Sequence, residues 1–384
     1  MFYKGDESLK HQQLFVLMQP ETENSYWADH IRNGIRDGVR EWNDTVCTVD
    51  LANPPPMLNE QYVLVVGSNI DWLQSSIIQL IHKGVHPIIV NACMLPVRQF
   101  RCSGVVFELE EMLDKCLKLL HNAGRKNTIL LGTNPHSVSD HVKAEAFTKA
   151  SSHLQTENII WAESSLDLCI SDFAEKLPGS EWDSVICAND TAAVCLSRCL
   201  TSNGYQLPDD LYIIGIGNSY VGASIRNALT SVMFDYYQMG VTAVRLYHNL
   251  LESPTPCHSI VSLPCRLIIR NSAPVHDVSS LPDALPITPC PSGTYFESDV
   301  IQNIIKVESI LQSGDHADRE ILFGILHGES CDTIADKLFF SSRTVRYRLK
   351  KLLKQYSFEN RTALENAFRC AVGEANPSEG EYLW

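Results

Sequence analysis

Residues 184–217, SVICANDTAAVCLSRCLTSNGYQLPDDLYIIGIG, contain the pattern that decides the fold. Two apolar, β-branched runs, at 184–190 and 211–217, flank a stretch at 191–203 in which apolar residues recur at helical spacing. Apolar runs without regular polar alternation are typical of strands covered by helices on both faces, as in a parallel sheet. The stretch therefore predicts a strand, a helix and a second parallel strand.

The same alternation extends over residues 13–272. Further strand candidates lie at 14–18, 62–67, 86–92 and 128–133. Further helix candidates lie at 27–42, 71–83, 109–123, 139–153, 166–177 and 236–251. This order predicts a doubly wound α/β architecture, and its length fits two similar lobes better than one sheet. A ligand is then expected where the carboxyl ends of the strands face each other.

Composition narrows the class of protein. The 384 residues suffice for two or three domains. The sequence contains no apolar stretch of membrane-spanning length, and its first residues are polar and do not resemble a signal sequence. We therefore expect a cytoplasmic protein that does not bind membranes. The 13 cysteines form no CxxC pair, which favours reduced, buried cysteines over a metal or redox site. We expect no metal ion, no cofactor and no enzymatic activity, since nucleotide-binding, metalloprotease and hydrolase motifs are missing.

Two segments separate this region from the C-terminal part. Residues 273–296 are rich in Pro, Ser and Thr and predict an interdomain linker. Residues 297–313 predict an amphipathic helix that ends at Gly314. Its face combines Val300, Ile301, Ile304, Ile305, Glu308 and Leu311. We expect this helix to pack on the domain that follows or on a second subunit.

Residues 315–372 divide into four short helical pieces and predict an all-α, four-helix domain. Asp315, Ser330 and Ser341 are N-cap candidates, and Gly328 ends the first piece. Short helices joined by tight turns are typical of a helix-turn-helix.

The charge distribution makes DNA a candidate partner although the formal net charge is −14. Residues 315–372 carry 10 of the 31 Lys and Arg but only 8 of the 45 Asp and Glu, which leaves 21 bases against 37 acids elsewhere. The run SSRTVRYRLKKLLK, 341–354, has six bases and no acid. A local basic patch of this kind attracts the phosphate backbone.

The third helical piece has two distinct faces. Val345, Leu349 and Leu352 recur at helical spacing and are predicted to face a core. The opposite side carries Arg343, Arg346, Tyr347, Lys350 and Lys354. The alternative is a solvated basic face on an ordinary helix. The preceding IADKL segment and the tight turn favour a helix that enters a major groove.

The segment from Arg319 to Leu364 resembles the LuxR-type helix-turn-helix. The matching residues are Arg319 and Glu320; Gly328; Ile334, Ala335 and Leu338; Ser341, Thr344 and Val345; and Asn360, Arg361 and Thr362. The resemblance implies that Arg346, Tyr347 and Lys350 read base edges and that Ser341, Arg343, Thr344, Lys351 and Lys354 contact phosphates. It also implies double-stranded DNA and a homodimer, because such modules bind paired half-sites. Tyr347 and Arg348 are bulkier than the family's usual residues.

Three stretches of the N-terminal region resemble the effector domain of lac-repressor-type regulators, which has the fold of periplasmic sugar-binding proteins. They lie at 24–41, 187–219 and 228–251. The resemblance implies a small-molecule effector, with a carbohydrate as one candidate, bound between the lobes by Tyr26, Trp27, Glu108, Lys143, Asn189, Asp190, Asn218 and Phe234. Three positions depart from the family. Lys143 replaces an Arg, Gly217 replaces an Asp, and Phe234 stands where a polar residue is common.

Each of these residues also has a structural interpretation. Trp27 could staple a helix start, Asp190 could be an N-cap, Asn189 a turn residue and Lys143 a solvated charge. The sequence therefore leaves two hypotheses open. Either the protein is a ligand-responsive regulator, or its cleft is degenerate and the N-terminal region serves dimerisation or docks a protein partner.

Overall fold

The computed structural model describes residues 12–22, 25–52, 55, 58, 61–90, 99–150, 158–253, 257–274 and 298–372. Two compact units share them. Unit 1 takes its described residues from 1–115, 134–154 and 234–266, and Unit 2 from 116–133, 155–233 and 267–384. The predicted linker at 273–296 lies outside the described residues, except for its first two positions.

Unit 1 is built on a six-stranded sheet with the order β11-β5-β4-β3-β1-β2. Its strands are β1 Gln13–Met18, β2 Thr45–Thr48, β3 Tyr62–Val66, β4 His86–Val90, β5 Ser103–Phe107 and β11 Ile260–Leu263. All of its neighbouring strands run parallel. The central strands β3 and β4 are almost wholly buried, as expected for a parallel sheet covered on both faces.

Four helices of the first part of the chain and one later helix accompany this sheet. They are α1 Tyr26–Gly38, α2 Ile70–His82, α3 Leu109–Asn122, α4 Val138–Ala150 and α8 Tyr236–Leu251. Helix α3 begins in Unit 1, and its last turns belong to Unit 2.

Unit 2 has a second six-stranded sheet with the order β12-β10-β9-β8-β6-β7. Its strands are β6 Thr128–Thr133, β7 Ile159–Trp161, β8 Ser184–Cys187, β9 Tyr212–Ile216, β10 Thr230–Met233 and β12 Arg266–Ile268. Its helices within the sheet region are α5 Leu166–Lys176, α6 Asp190–Ser202 and α7 Tyr220–Ser224. The predicted strand–helix–strand of residues 184–217 is confirmed as β8, α6 and β9, and the two strands pair in parallel at the centre of the sheet.

The sequence predicts the central elements of both sheets but not the edge strands and the short strands. All six predicted strands and all seven predicted helices of the N-terminal region are present, with ends shifted by a few residues where they are described. Strands β2, β7, β11 and β12 were missed because they are three or four residues long and half-exposed. Strands β5 and β10 are buried but short, and they merge in the sequence with the helices that follow.

The C-terminal helices are α9 Asp299–Ser313, α10 His316–Leu326, α11 Cys331–Lys337, α12 Ser342–Gln355 and α13 Arg361–Val372. We call α10–α13 the DNA-binding helices after their predicted role. The predicted N-caps are confirmed, since the side chains of Asp315, Ser330 and Ser341 each accept a hydrogen bond from the backbone N–H three residues later. Helix α9 follows the predicted face, except that Val300 is exposed.

These helices share one hydrophobic core with the second sheet. Buried side chains of α9, α10, α12 and α13 join the cluster that also contains β6, β8 and α6 residues. The position of α9 on the helices that follow it is as expected, since it packs against α13. It also packs against α6 and α7, which the sequence did not indicate.

The described cysteines carry free thiols. Burial raises the pKa of Cys102 and Cys169 to about 11 and that of Cys195 to about 12, so these thiols are unreactive at neutral pH. Of the 11 cysteines that the structure describes, five are buried, five are half-buried and Cys257 is exposed, so the prediction of buried cysteines is confirmed only in part. Among the helices of the described residues, none is long and apolar enough to cross a bilayer.

Helices α1 and α8 approach closely because glycines line their contact. A Cβ added at Gly34 would lie 2.1 Å from the carbonyl oxygen of Tyr237, and one at Gly240 would lie 2.2 Å from the carbonyl oxygen of Ile31. Real Cβ atoms do not approach backbone oxygens this closely, so the two helices can pack at this distance only with glycine at both positions.

We predict that Gly34→Ala lowers the free energy of unfolding by about 1 to 3 kcal/mol because the helices must separate. The expected loss is opposite in sign to the usual effect, since alanine in a helix interior is more stable than glycine by about 1 kcal/mol. Urea unfolding followed by circular dichroism measures it. Gly179→Ala is the control, since its Cβ would meet nothing within 4 Å, and a loss there as large as at Gly34 would contradict this account.

Candidate DNA-binding and effector sites

Helix α12 has one buried and one exposed face. Val345, Leu349 and Leu352 are buried, at 0%, 7% and 5% exposure. Arg346 pairs with Asp332 of α11 at 3.2 Å, with both side chains about two-thirds exposed. Such a pair is screened by solvent and holds the guanidinium only weakly. The predicted DNA contacts lie at the surface of the helix and its cap, namely Ser341, Arg343, Thr344, Arg346, Tyr347, Lys350, Lys351 and Lys354.

The turn before α12 is short and places the start of the helix at the surface. Phe339 follows α11 in a left-handed conformation, with φ 54°, and is 97% exposed. Ser341 then caps α12 by accepting a hydrogen bond from the Thr344 N–H at 3.1 Å. The two hydroxyl groups lie 2.8 Å apart, so both predicted phosphate contacts also shape the helix start.

Arg348 of α12 forms ion pairs with the start of α10. Its guanidinium donates to Asp315 at 2.8 Å and to Asp318 at 2.8 Å, at the start of α10. Hydrogen bonds to Asp318 and Asp315 raise the pKa of Arg348. The pKa of Asp315 is lowered because hydrogen bonds from Asp318 N–H and Arg348 outweigh the opposing effect of burial. The bulky residue that departs from the family pattern thus fixes α12 against α10.

In Unit 2, Asn189 and Asp190 follow the carboxyl end of β8 and have different roles. Asn189, not Asp190, is the N-cap of α6, since its Oδ1 accepts from the Ala192 N–H at 2.9 Å. Asp190 is 1% exposed. Its carboxylate accepts from the Ser219 N–H at 2.5 Å and from the Ser231 hydroxyl at 2.6 Å. Burial raises the pKa of Asp190 against the effect of these hydrogen bonds.

Asn218 joins Asp190 in a polar network that we define as Asp190, Asn218, Ser231 and Arg270. Its backbone N–H donates to the Ser231 hydroxyl at 2.9 Å, and its Oδ1 accepts from Arg270 at 2.7 Å. Arg270 also donates to the Leu229 carbonyl at 2.7 Å. Burial lowers the pKa of Arg270, opposed by Asp190. The network brings two predicted effector residues of this unit together.

In Unit 1, Trp27 and Phe234 belong to an aromatic cluster with Phe107 and Tyr236. The Phe107 and Phe234 rings lie 4.9 Å apart, and Tyr236 lies 5.4 Å from Phe107 and 6.0 Å from Trp27. Trp27 is 9% exposed and Phe234 4%. These rings therefore pack largely against one another.

Tyr26 and Glu108 are the other two aromatic or acidic effector candidates of Unit 1. Tyr26 contacts His30, with ring centroids 3.9 Å apart, and burial lowers the pKa of His30. Glu108 follows β5, and its N–H donates to the Leu263 carbonyl at 2.9 Å. Both side chains are partly exposed.

Lys143 is not a solvated charge. Its ammonium lies 2.5 Å from Asp140 Oδ1, with the side chains 7% and 5% exposed. Asp140 Oδ2 also accepts from the Asn134 N–H at 2.8 Å. The positive charge that the sequence analysis assigned to the effector is therefore engaged in a buried ion pair.

The comparisons with known proteins agree with this architecture. Residues 117–273 match the family described as "Periplasmic binding protein-like domain". The chain has an α/β, two-sheet periplasmic-binding-protein-like fold. A solved structure described as a complex of the transcriptional regulator CelR with cellobiose superimposes with a TM-score of 0.57 at 16% identity, covering 68% of this chain and 84% of that one. A LacI family regulator from Enterococcus faecium with bound ribose gives 0.51 at 20%, covering 69% and 100%.

Two curated relatives are similar in sequence. Catabolite control protein A of Priestia megaterium is 24% identical over 201 residues, which are 51% of this chain and 60% of that protein. The HTH-type transcriptional regulator GalR of Streptococcus thermophilus is 30% identical over 90 residues, 23% of this chain and 27% of that protein. The chain thus spans less than two thirds of the length of these two relatives.

Within the periplasmic-binding-protein-like fold, the structure adds candidates that the sequence analysis missed. Arg270 was not predicted because it lies at the end of an apolar run next to the predicted linker, with no motif around it. Gln19 follows β1, and its Oε1 accepts from the N–H groups of Ser68 and Asn69 after β3, at 2.9 and 3.0 Å. Gln19 lies at the carboxyl end of β1, where parallel sheets bind ligands. The Arg270 side chain reaches Asn218, which follows β9. A search for polar residues directly after each predicted strand would have found Gln19, but not Arg270, because β12 was not predicted.

We predict that Lys143→Met lowers the free energy of unfolding by about 3 to 5 kcal/mol because it leaves Asp140 buried without its cation. Adding Asp140→Asn recovers part of the loss, since asparagine keeps an acceptor for the Asn134 N–H. Denaturant unfolding of the three proteins measures both effects.

Lys149→Met is the matched control for this prediction. Its ion pair with Glu145 also measures 2.5 Å, but the side chains are 60% and 54% exposed, so we expect a loss below about 1 kcal/mol. Equal losses at Lys143 and Lys149 would show that the buried pair has no special role.

Proposed function

We propose that the protein is a DNA-binding transcription regulator that responds to a small-molecule effector. The observation that carries the proposal is the exposed basic face of α12, whose opposite face is buried and whose start is set by a tight turn after α11. A helix of this kind can enter a major groove while its partners hold it from behind. The periplasmic-binding-protein-like fold supplies the sensor.

The DNA-binding helices are, in this proposal, a LuxR-type helix-turn-helix. The order of motif residues from Arg319 to Thr362 supports this assignment. The protein acts as a homodimer on paired half-sites of double-stranded DNA. Base edges are read by Arg346, Tyr347 and Lys350, and phosphates are held by Ser341, Arg343, Thr344, Lys351 and Lys354.

The effector is a small polar molecule, with a carbohydrate as the first candidate. Solved relatives of the same fold are described with bound cellobiose, ribose, sucrose and glucose. Contacts come from residues near the carboxyl ends of the strands, such as Trp27, Glu108 and Asn189. An aromatic ring with a few polar groups is the usual chemistry of sugar sites.

A second candidate function is that the sensor fold has lost its effector and serves dimerisation or protein docking. One set of observations favours it. Asp190 and Lys143 are both buried and satisfied within the protein, and the aromatic rings pack on each other. The two buried charged groups that were predicted to bind the ligand therefore already bind other residues of this chain.

We predict that Arg346→Ala with Lys350→Ala weakens binding to a duplex from the region upstream of the protein's own coding sequence by about tenfold or more for each of the two side chains. Fluorescence anisotropy across a salt series measures it. Lys354→Ala should instead weaken binding to all duplexes similarly and reduce the salt slope by about 1.

The control for DNA binding removes two positive charges from residues outside the DNA-binding helices. Lys149→Ala with Lys176→Ala changes exposed lysines of α4 and α5 and should alter affinity less than about twofold, since neither residue belongs to the predicted DNA contacts. If this control weakens binding as much as the α12 variant, or if the wild type binds no duplex, DNA recognition by α12 is wrong.

We predict that one sugar among cellobiose, ribose, sucrose and glucose raises the thermal midpoint of the protein, since a ligand at 100 times its dissociation constant adds about 2.7 kcal/mol of stability. Asn189→Ser should abolish this shift while leaving the unliganded midpoint nearly unchanged, because serine still caps α6. The matched control is Asn203→Ser at the other end of the same helix. No shift with any sugar, nucleoside or amino-acid derivative would favour the degenerate sensor.

A further inference from the structure

Helix α7 is a short helix whose first N–H groups, beginning with that of its N-cap Ser219, have partners from different parts of Unit 2. The Ser219 N–H donates to Asp190 at 2.5 Å. The Tyr220 and Val221 N–H groups donate to Glu308 at 2.8 and 2.5 Å. The Gly222 N–H donates to the Ser219 hydroxyl at 3.0 Å. The donors that a helix start leaves without intrahelical partners are thus divided between the first residue of α6, helix α9 and α7 itself.

The partner on the sensor side is closely confined. A Cβ at Gly215 would lie 2.1 Å from Asp190 Oδ1, and one at Gly222 would lie 3.2 Å from Oδ2. The carboxylate also holds the Ser231 hydroxyl of β10. Because Asn189 precedes Asp190 directly, a displacement of the predicted effector residue shifts a carboxylate that has little space around it.

The partner on the DNA-binding side is Glu308, a carboxylate on the otherwise apolar face of α9. It is 1% exposed, and Gln312 also donates to it at 2.6 Å. A buried carboxylate is costly unless its oxygens accept hydrogen bonds. The two N–H groups of α7 satisfy both of its oxygens, which explains why a charged residue stands among isoleucines of this face.

The link continues into the DNA-binding helices. The Arg319 guanidinium of α10 lies 5.0 Å from the centroid of the Tyr220 ring, and its Nε donates to the Leu311 carbonyl of α9 at 2.7 Å. The first turn of α10 and its N-cap in turn hold Arg348 of α12 through two aspartates. A contiguous set of contacts therefore runs from Asp190 through α7, α9 and α10 to α12.

We propose that α7 couples the start of α6, at Asn189 and Asp190, to the DNA-binding helices, with Glu308 as the positioning residue. A change at the start of α6 displaces the start of α7, and Glu308 transmits that displacement to α9 and α10. The regulatory meaning of this coupling rests on the proposed function. The coupling itself is a property of Unit 2 and is measurable without DNA or effector.

Hydrogen exchange of the full chain, followed by mass spectrometry, tests the coupling. Ser231→Ala removes the hydroxyl that holds Asp190 and is expected to speed exchange in residues 299–326 several-fold. Glu308→Gln replaces one acceptor by a donor that faces an N–H group. It is expected to speed exchange at Tyr220 and Val221 by about tenfold or more, as the loss of a charge-assisted hydrogen bond implies. In the double variant, Ser231→Ala should add nothing further in residues 299–326.

Ser184→Ala is the matched control. Ser184 is equally buried and also makes a side-chain hydrogen bond, to Thr128 at 2.8 Å, but it lies at the opposite end of β8. It should leave exchange in residues 299–326 unchanged. The proposal is overturned if Ser184→Ala has the same effect as Ser231→Ala, if Ser231→Ala has none, or if its effect persists undiminished with Glu308→Gln. Should Glu308→Gln prevent folding, Glu308→Asp takes its place, because it retracts the carboxylate by one methylene.

Duplex binding separates this proposal from the proposed function. If the wild type binds the upstream duplex, Glu308→Gln should change its affinity several-fold although Glu308 lies off the exposed face of α12, and an unchanged affinity would overturn a regulatory role. If the wild type binds no duplex, the proposed function fails, and the exchange data still decide whether α7 couples the two parts of Unit 2.

Discussion

The hydrogen bonding of buried carboxylates at the carboxyl end of the second sheet constrains the arrangement of much of Unit 2. Asp190 lies inside the protein, where an ionised group is stable only if donors surround it. It therefore orders the residues that supply those donors, the start of α7 through Ser219 and strand β10 through Ser231. The same requirement excludes a side chain at Gly215, since any Cβ there would occupy the place of the carboxylate oxygen. Glu308 repeats the arrangement at the next two N–H groups of α7, and in doing so it brings α9 onto the same short helix.

This arrangement joins parts of the chain that their compositions would separate. Most of the acidic residues lie outside the basic segment 315–372, and a long Pro-rich stretch separates that segment from the N-terminal region. Nevertheless α9 and the DNA-binding helices share a hydrophobic core with β6, β8 and α6. Packing, rather than the linker, sets the position of these helices on Unit 2. The basic face of α12 stays exposed because its apolar side chains supply enough contact with the neighbouring helices.

The candidate effector residues behave differently from the predicted DNA contacts. A residue that touches phosphate must be polar or charged and must be exposed. The residue type gives the first property, and helical spacing in the sequence predicts the second. A residue that touches a small ligand must keep unused hydrogen-bonding capacity in a recess, and that depends on which neighbours reach it first. Asp190 and Lys143 are buried with protein partners, whereas Glu108 and Asn189 remain partly exposed. Among the polar candidates, the structure thus favours Glu108 and Asn189 over the buried charged groups as effector contacts.

The sequence by itself determined the elements whose periodicity or capping is local. It located the central strands, the helices between them, the N-caps at Asp315, Ser330 and Ser341, and the two faces of α12, because a strand core or a helix stripe is written in consecutive residues. Only the tertiary structure decided the edge strands, since β11 and β12 are adjacent in the chain but belong to different sheets. It also decided the partners of Asp190, Arg270 and Glu308, because these side chains meet groups that lie far away in the sequence. Long-range hydrogen bonds of this kind depend on how whole elements pack, which no local pattern specifies.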